Sequence, residues 1–263
     1  PTQAKLQEVN GVKNIIISQL WKVLEESGMK LKTTKDDSIH HVEINDTGST
    51  ARHTNLDGGY DFDLDLRLNE ADYKNIPQII ENIKKIFGPE SVKETVTKNN
   101  RLQYAIKWAL VNGEKIDIDL LFTKYRSGNI IDANQVLKMK LDAIKTQYWE
   151  TRYNEVIAQI KLVKELFKQA EVYKKIEQWW LGWIGIEGWI LNNGWNIETA
   201  FRSFYSEAFK DGKLVPFSDF KQKYKIYSAW ENLRSTQIEN FANNMTEEWY
   251  KKIVEVIWKY LNN

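Results

Sequence analysis

Asp61-Phe62-Asp63-Leu64-Asp65-Leu66 alternates acid with hydrophobe, and that pattern constrains the fold more than any other in the chain. Alternate residues of a strand share one face. Asp61, Asp63 and Asp65 therefore point one way, while Phe62, Leu64 and Leu66 point the other way into a core. Aspartate is disfavoured in strands, and three like charges on one face repel. A divalent cation offsets them economically, because Mg²⁺ is a hard ion held by one or two carboxylates together with substrate phosphates. An acidic strand facing solvent is the plainer alternative, but it leaves the upstream Gly48-Ser49 pair without a role. Glycine lets backbone come close to a ligand. Successive N–H groups and a serine hydroxyl form an anion nest. A phosphate cradle followed by paired carboxylates points to metal-assisted chemistry on a nucleoside triphosphate.

A second acidic strand follows. Asn112-Gly113 reads as a hairpin turn between Tyr104–Val111 and Lys115–Phe122. Asp117 and Asp119 alternate with Ile116, Ile118 and Leu120, so they share a face as well. A two-metal site draws its carboxylates from adjacent strands.

The segment Gly48–Asp65 resembles the signature of the nucleotidyltransferase superfamily, a Gly-Ser followed by Asp-x-Asp. Its fuller form, G-S-x-A-R-x-T-x-L-x-G-x-x-D-x-D, is similar to that of the archaeal-type (class I) tRNA CCA-adding enzymes and the oligoadenylate synthetases. The resemblance implies an α+β fold, with a small mixed-sheet, polymerase-β-like catalytic domain followed by an all-helical domain. It implies that Asp61 and Asp63 bind the metals, that Asp117 is the third carboxylate, and that Asp65 and Asp119 are lesser candidates. Gly48, Ser49 and Arg52 become nucleotide contacts, and Thr54 falls on a motif position. Family members often carry glycine where His53 stands.

The second half adds its own likeness. Leu162–Tyr173 is similar to L-x-K-x-F-L-K-x-x-G-V-Y of the archaeal-type enzymes. This implies that Lys164 and Tyr173 contact the incoming triphosphate, where an ammonium neutralises phosphate charge. Gly182–Leu191 loosely resembles G-F-S-G-Y-L-x-E-L-L. Glu171 replaces the usual glycine in the first motif, and Ile184 replaces a serine in the second.

The family reading sets several expectations. Residues 1–132 form the catalytic domain, and residues 133–263 form the helical domain that closes the nucleotide cleft. ATP or another NTP is the donor, two Mg²⁺ ions are the cofactor with Mn²⁺ as a substitute, and the acceptor is an RNA 3′ end, tRNA first. The alternative is synthesis of an oligonucleotide or cyclic nucleotide messenger; transfer to a small antibiotic-type molecule comes third. CCA-adding enzymes continue beyond the point matching Asn263 and carry a histidine segment with no match here. The chemistry therefore transfers better than the acceptor.

Composition narrows the setting. No cysteine is present, which excludes disulfides and thiolate-held metals. No apolar run is long enough to span a bilayer, and Pro1–Lys5 offers no signal-peptide core. The expectation is a cytoplasmic protein with no membrane partner. A net charge of +1 provides no broad basic footprint for nucleic acid.

Periodicity places a helix from Lys5 to Glu26, with Leu6, Val9, Val12, Ile15, Ile16, Leu20, Val23 and Leu24 inward. His41–Ile44 reads as the strand feeding Gly48. Ile76–Phe87 reads as a helix stopped by Gly88-Pro89. Beyond Ala133 helices are expected at Gln135–Tyr148, Asn154–Phe167, Ile176–Leu191, Ile197–Ala208, Tyr224–Arg234 and Thr246–Leu261. Nine of the eleven tryptophans lie from Trp149 onward, most of them suited to a helical core. One of the adjacent Trp179 and Trp180 is the stacking or partner-contact candidate. His40 and His41 are expected at the surface, and His53 sits within the motif.

Overall fold

The computed structural model describes residues 3–29, 43–56, 61–96, 102–109, 115–124, 133–171, 183–226 and 245–263. The chain divides into two compact units. The first comprises residues 1–51 and 57–129. The second comprises residues 130–263 together with the short segment 52–56.

The first unit is a five-stranded sheet backed by helices. Its strands are β1 (Glu43–Thr47), β2 (Asp61–Leu68), β3 (Val92–Val96), β4 (Leu102–Ala109) and β5 (Lys115–Lys124), in the order β1-β2-β5-β4-β3. Only β2 and β5 run parallel; the other pairs are antiparallel. The helices are α1 (Gln3–Glu26), α2 (Gly48–Ala51), α3 (Glu70–Tyr73) and α4 (Ile76–Phe87). Phe62, Leu64 and Leu66 are buried, as alternation requires, and join Ile106, Ile118, Leu120 and Phe122 in one core. Val9, Ile16, Leu20, Val23 and Leu24 of α1 enter the same core. Ile15 does not and is exposed. Helix α4 buries Ile76, Ile79, Ile80, Ile83 and Phe87. It ends where Gly88 takes φ 87° and donates its N–H to the Lys84 carbonyl. The expected Asn112-Gly113 turn lies outside the described residues, as do His40 and His41.

The second unit is helical: α5 (Ala133–Gln169), α6 (Trp183–Asn192), α7 (Ile197–Ala208), α8 (Phe217–Lys223) and α9 (Glu247–Asn262). Its core holds Trp189, Phe201, Phe204, Phe220 and Tyr250. Two helices were expected on either side of Trp149. They form as expected: α5 is two helical segments that meet at a kink at Trp149, which is non-helical at φ 69° and exposed. A helix expected from Tyr224 is not formed over Tyr224–Ile226, and the rest of that span lies outside the described residues. Instead α8 begins just upstream at Phe217, directly after Pro216, which caps it with an extended backbone. Phe209–Lys210 and Lys213–Leu214 form a small hairpin, β6–β7. Asp211 and Gly212 both have positive φ at its turn, the Asp-Gly signal for tight hairpins. Trp179 and Trp180 lie outside the described residues. Among the described residues no helix is long and apolar enough to cross a membrane.

Candidate active site

Strand register creates the acidic face. Asp61 stands beside Asp117, and Asp63 beside Asp119, on the parallel pair β2–β5. Side-by-side residues of paired strands project to the same face, so four carboxylates share it. Asp61 and Asp117 are exposed; Asp63 and Asp119 are partly buried. Asp61 holds its proton more tightly than an ordinary carboxylate, first because part of it is buried and then because of the negative charge on Asp117.

Asp65 departs from this group. It is 4% exposed, its Oδ1 accepts a 2.5 Å hydrogen bond from the Thr123 hydroxyl, and its Oδ2 accepts one of 2.9 Å from Arg67 Nε. Protein partners meet its charge from within the sheet.

The Gly48–Ala51 turn is tied to the acidic strand. Thr50 Oγ1 donates to the Asp61 carbonyl at 2.6 Å, and Thr47 Oγ1 donates to the Asp63 carbonyl at 3.0 Å. Gly48 has φ 79°, and a Cβ there would overlap the Asp63 carboxylate, lying 2.6 Å from its Cγ. Only glycine fits, for backbone angle and for space alike. Ser49 follows, partly buried.

These residues fit a divalent cation in their chemistry. They are hard carboxylate oxygens from two adjacent strands, and repulsion between Asp61 and Asp117 would be relieved by one. Among the described residues no three acidic or histidine side chains are already drawn together as a metal cage. The donors stand in pairs.

The other sequence candidates sit in the second unit. Arg52 and Lys164 are buried and meet on Glu187, which is fully buried. Arg52 Nε donates to Glu187 Oε2 at 2.5 Å. Oε1 of the same carboxylate accepts from Arg52 Nη2 at 3.3 Å, Thr54 Oγ1 at 2.6 Å and Lys164 Nζ at 2.8 Å. Lys164 also donates to the Thr54 carbonyl at 2.9 Å, and Arg52 Nη1 to Asn134 Oδ1 at 2.6 Å. The two cations hold the Glu187 carboxyl down at about 2, against the opposing effect of burial. Burial pushes the Lys164 ammonium below its usual range. Sequence reading did not single out Glu187. Its partners are more than a hundred positions away, save Lys164, and no local pattern reports them.

Between Arg52 and Thr54, His53 is exposed at φ 59°. Glu171 likewise has φ 56°. Both stand where the resembling family carries glycine, and both keep the left-handed backbone that glycine adopts freely. Such a conformation costs a side-chain-bearing residue about 1–2 kcal/mol. Tyr173 lies outside the described residues.

No protein-family model matches the chain, and no curated protein matches it in sequence. Solved structures do resemble it. Escherichia coli MS115-1 CdnC, solved with ATP, is 15% identical at a TM-score of 0.62, over 98% of this chain and 84% of that one. The RNA terminal uridylyl transferase Cid1 is 10% identical at 0.60, over 100% and 90%. Vibrio cholerae DncV, a cyclic AMP-GMP synthase solved with the linear intermediate pppA(3′,5′)pG, is 10% identical at 0.54, over 98% and 84%. The α+β architecture is the fold of these nucleotidyltransferases.

Proposed function

We propose that this chain is a template-independent nucleotidyltransferase that joins nucleotides into a short linear or cyclic signal. In this reading it moves a nucleoside monophosphate from an NTP such as ATP to a hydroxyl of a second nucleotide. One observation carries the proposal: the Gly48 turn is bonded to the same strand that sets Asp61 and Asp63 beside Asp117 and Asp119. Phosphate nest and carboxylate face are thus one local construction, on the fold that CdnC and DncV share.

The acceptor oxygen attacks the α-phosphorus. The bond from that phosphorus to the α,β-bridging oxygen breaks, and pyrophosphate leaves with the electron pair. The hydroxyl proton passes to solvent. Asp61, Asp63 and Asp117 are the residues to hold two Mg²⁺ ions, or Mn²⁺, which when bound supply Lewis acidity at the acceptor and leaving oxygens. Asp119 completes the acidic face as a lesser contact, and Asp65 supports the sheet. Backbone N–H groups at Gly48 and Ser49 orient the terminal phosphates. Tyr173 remains a proposed triphosphate contact on its motif position.

An RNA 3′ end, including tRNA lacking its CCA, is the second acceptor reading. The likeness to Cid1 and the motif match in both halves of the chain favour it. A net charge of +1 gives it no broad basic surface, so the messenger reading ranks first.

The test is to incubate the protein and Mg²⁺ with α-labelled NTPs, singly and in pairs. Each reaction runs with and without tRNA lacking its CCA end, and with a generic RNA. Small labelled products formed without RNA are the expected outcome. Label found only on RNA would move the acceptor to the second reading, and no transfer at all would overturn the assignment.

A further inference from the structure

We infer that Glu187 is a positioning residue for the nucleotide site: it anchors the segment leaving the Gly48 turn and holds His53 in its left-handed conformation. The inference rests on the function proposed above and gives that site a support no local motif contains.

Three features carry it. First, the segment 52–56 packs with the helical unit although the turn preceding it belongs to the sheet unit. Second, Arg52 and Thr54 are both tied to one small cluster. Arg52 and Thr54 side chains donate to Glu187 on α6, Lys164 on α5 bridges Glu187 and the Thr54 carbonyl, and Asn134 on α5 receives Arg52. Third, the residue enclosed by these anchors, His53, has φ 59°. A strained residue persists where its surroundings over-determine it, and here both flanking residues are fixed by the same carboxylate. Arg52 and Lys164 therefore have work within the protein: their charges hold Glu187, and Glu187 holds the backbone that continues from Gly48–Ala51. A buried carboxylate with several charge-assisted partners serves this purpose because it cannot leave without exposing two cations to an apolar interior.

This mechanism makes a coupling prediction that loss of stability alone does not. If Glu187 acts by holding His53 in a strained state, glycine at 53 should make the anchor less necessary. The experiment compares wild type with Glu187→Gln, Glu187→Asp, Thr54→Val, His53→Gly and the His53→Gly/Glu187→Gln double variant. Two readouts are taken below each variant's melting temperature. One is amide hydrogen exchange of the peptide covering residues 48–56, which needs no nucleotide. The other is binding of Mg·ATP as a non-hydrolysable analogue.

Glu187→Gln should speed exchange in 48–56 by about tenfold or more and weaken analogue binding by about tenfold, with Glu187→Asp recovering part of both. Adding His53→Gly should restore binding several-fold, a non-additive result of the kind expected for residues acting on one backbone segment. Thr54→Val removes one bond to Glu187 with little change of shape. It should show the same pattern at smaller amplitude, so the test stands even if Glu187→Gln fails to fold. Wild-type exchange and binding in Thr54→Val and the soluble Glu187 variants would overturn the inference. So would a double variant whose losses simply add. Faster exchange in a protein that binds no nucleotide even as wild type would overturn the functional proposal and leave the anchor standing.

Discussion

The two acidic centres of this chain treat charge in opposite ways. On the sheet, Asp61 and Asp117 stand side by side, and Asp61 is raised first by its partial burial and then by repulsion from Asp117. In the helical unit, Glu187 is fully buried, takes four hydrogen bonds and is pulled down to about 2 by two cations. Where the protein supplies the counter-charge, the carboxylate is structural. Where it leaves like charges together, as at Asp61 and Asp117, the proposed function assigns the counter-charge to a metal ion. Asp65 shows both rules on one strand: it lies on the acidic face, yet Thr123 and Arg67 satisfy it.

The sharpest way to break this contrast is to neutralise one carboxylate of each kind. Asp63→Asn should lower nucleotidyl transfer by at least about a hundredfold, read as initial rate with labelled NTP. It should leave the melting temperature unchanged or raise it, since it removes a repelling charge. Glu187→Gln should do the reverse in stability. It leaves Arg52 and Lys164 in the interior with a neutral partner, at a cost of about 3–5 kcal/mol, read by urea unfolding. Equal stability effects at the two sites would dissolve the distinction. Acid offers a second handle on Glu187. Its folded value lies below its ordinary one, so its contribution is complete above about pH 4.5 and is lost as pH falls toward about 2. Glu187→Gln should flatten that part of the stability curve.

Gly48→Ala tests the junction of nest and carboxylate. The added Cβ meets Asp63 and must adopt φ 79°. A stability cost of about 1–3 kcal/mol is expected, with a larger proportional loss of transfer than of fold.

Much of the sheet unit was legible because its pattern is local. Alternation in β2 placed Phe62, Leu64 and Leu66 in the core, and the Gly88 stop closed α4 on its expected residue. The glycines of the resembling motifs were informative even where this chain has other residues, since His53 and Glu171 have positive φ. The Asp211-Gly212 hairpin was equally visible and was passed over. What could not be read is pairing across the chain. Nothing near Asp65 announces Thr123, and nothing near Glu187 announces Arg52. The motif around Lys164 implies a phosphate contact and says nothing of the bonds this lysine makes to Glu187 and the Thr54 carbonyl.

Alkaline pH probes a further buried charge with the sign reversed. Lys140 is buried, donates to Asn192 Oδ1 at 2.8 Å, and is lowered by burial to about 8. Between that value and the ordinary lysine range the unfolded chain binds more protons than the folded one, so stability should rise with pH. Tyr153, Tyr224 and Tyr250 are pushed up to about 12 by burial. They act in the opposite direction once the unfolded phenols ionise near pH 10. Stability should therefore climb by up to about 2–3 kcal/mol from pH 8 to about pH 10 and then decline. Lys164, also lowered by burial, adds to the climb with the same sign, so Lys140→Met should reduce the climb and leave the decline.

The smallest expected effect addresses the carboxylate pair itself. If Asp117 contributes to the raised proton affinity of Asp61, Asp117→Asn should lower the Asp61 titration midpoint without returning it fully to the ordinary value. Partial burial is the larger cause and survives the substitution. Carboxyl NMR on selectively labelled protein without divalent metal reads this directly. Adding Mg²⁺ to wild type should shift Asp61 the same way and further, because a dication replaces repulsion with attraction. A midpoint that ignores Asp117→Asn would mean the two side chains do not share charge across the strand pair. A midpoint that ignores Mg²⁺ in wild type would remove the reason for assigning a cation to this pair. The acidic face would then be a solvent-facing feature of the sheet, to be compared with the salt-bridged surface and no longer with Glu187.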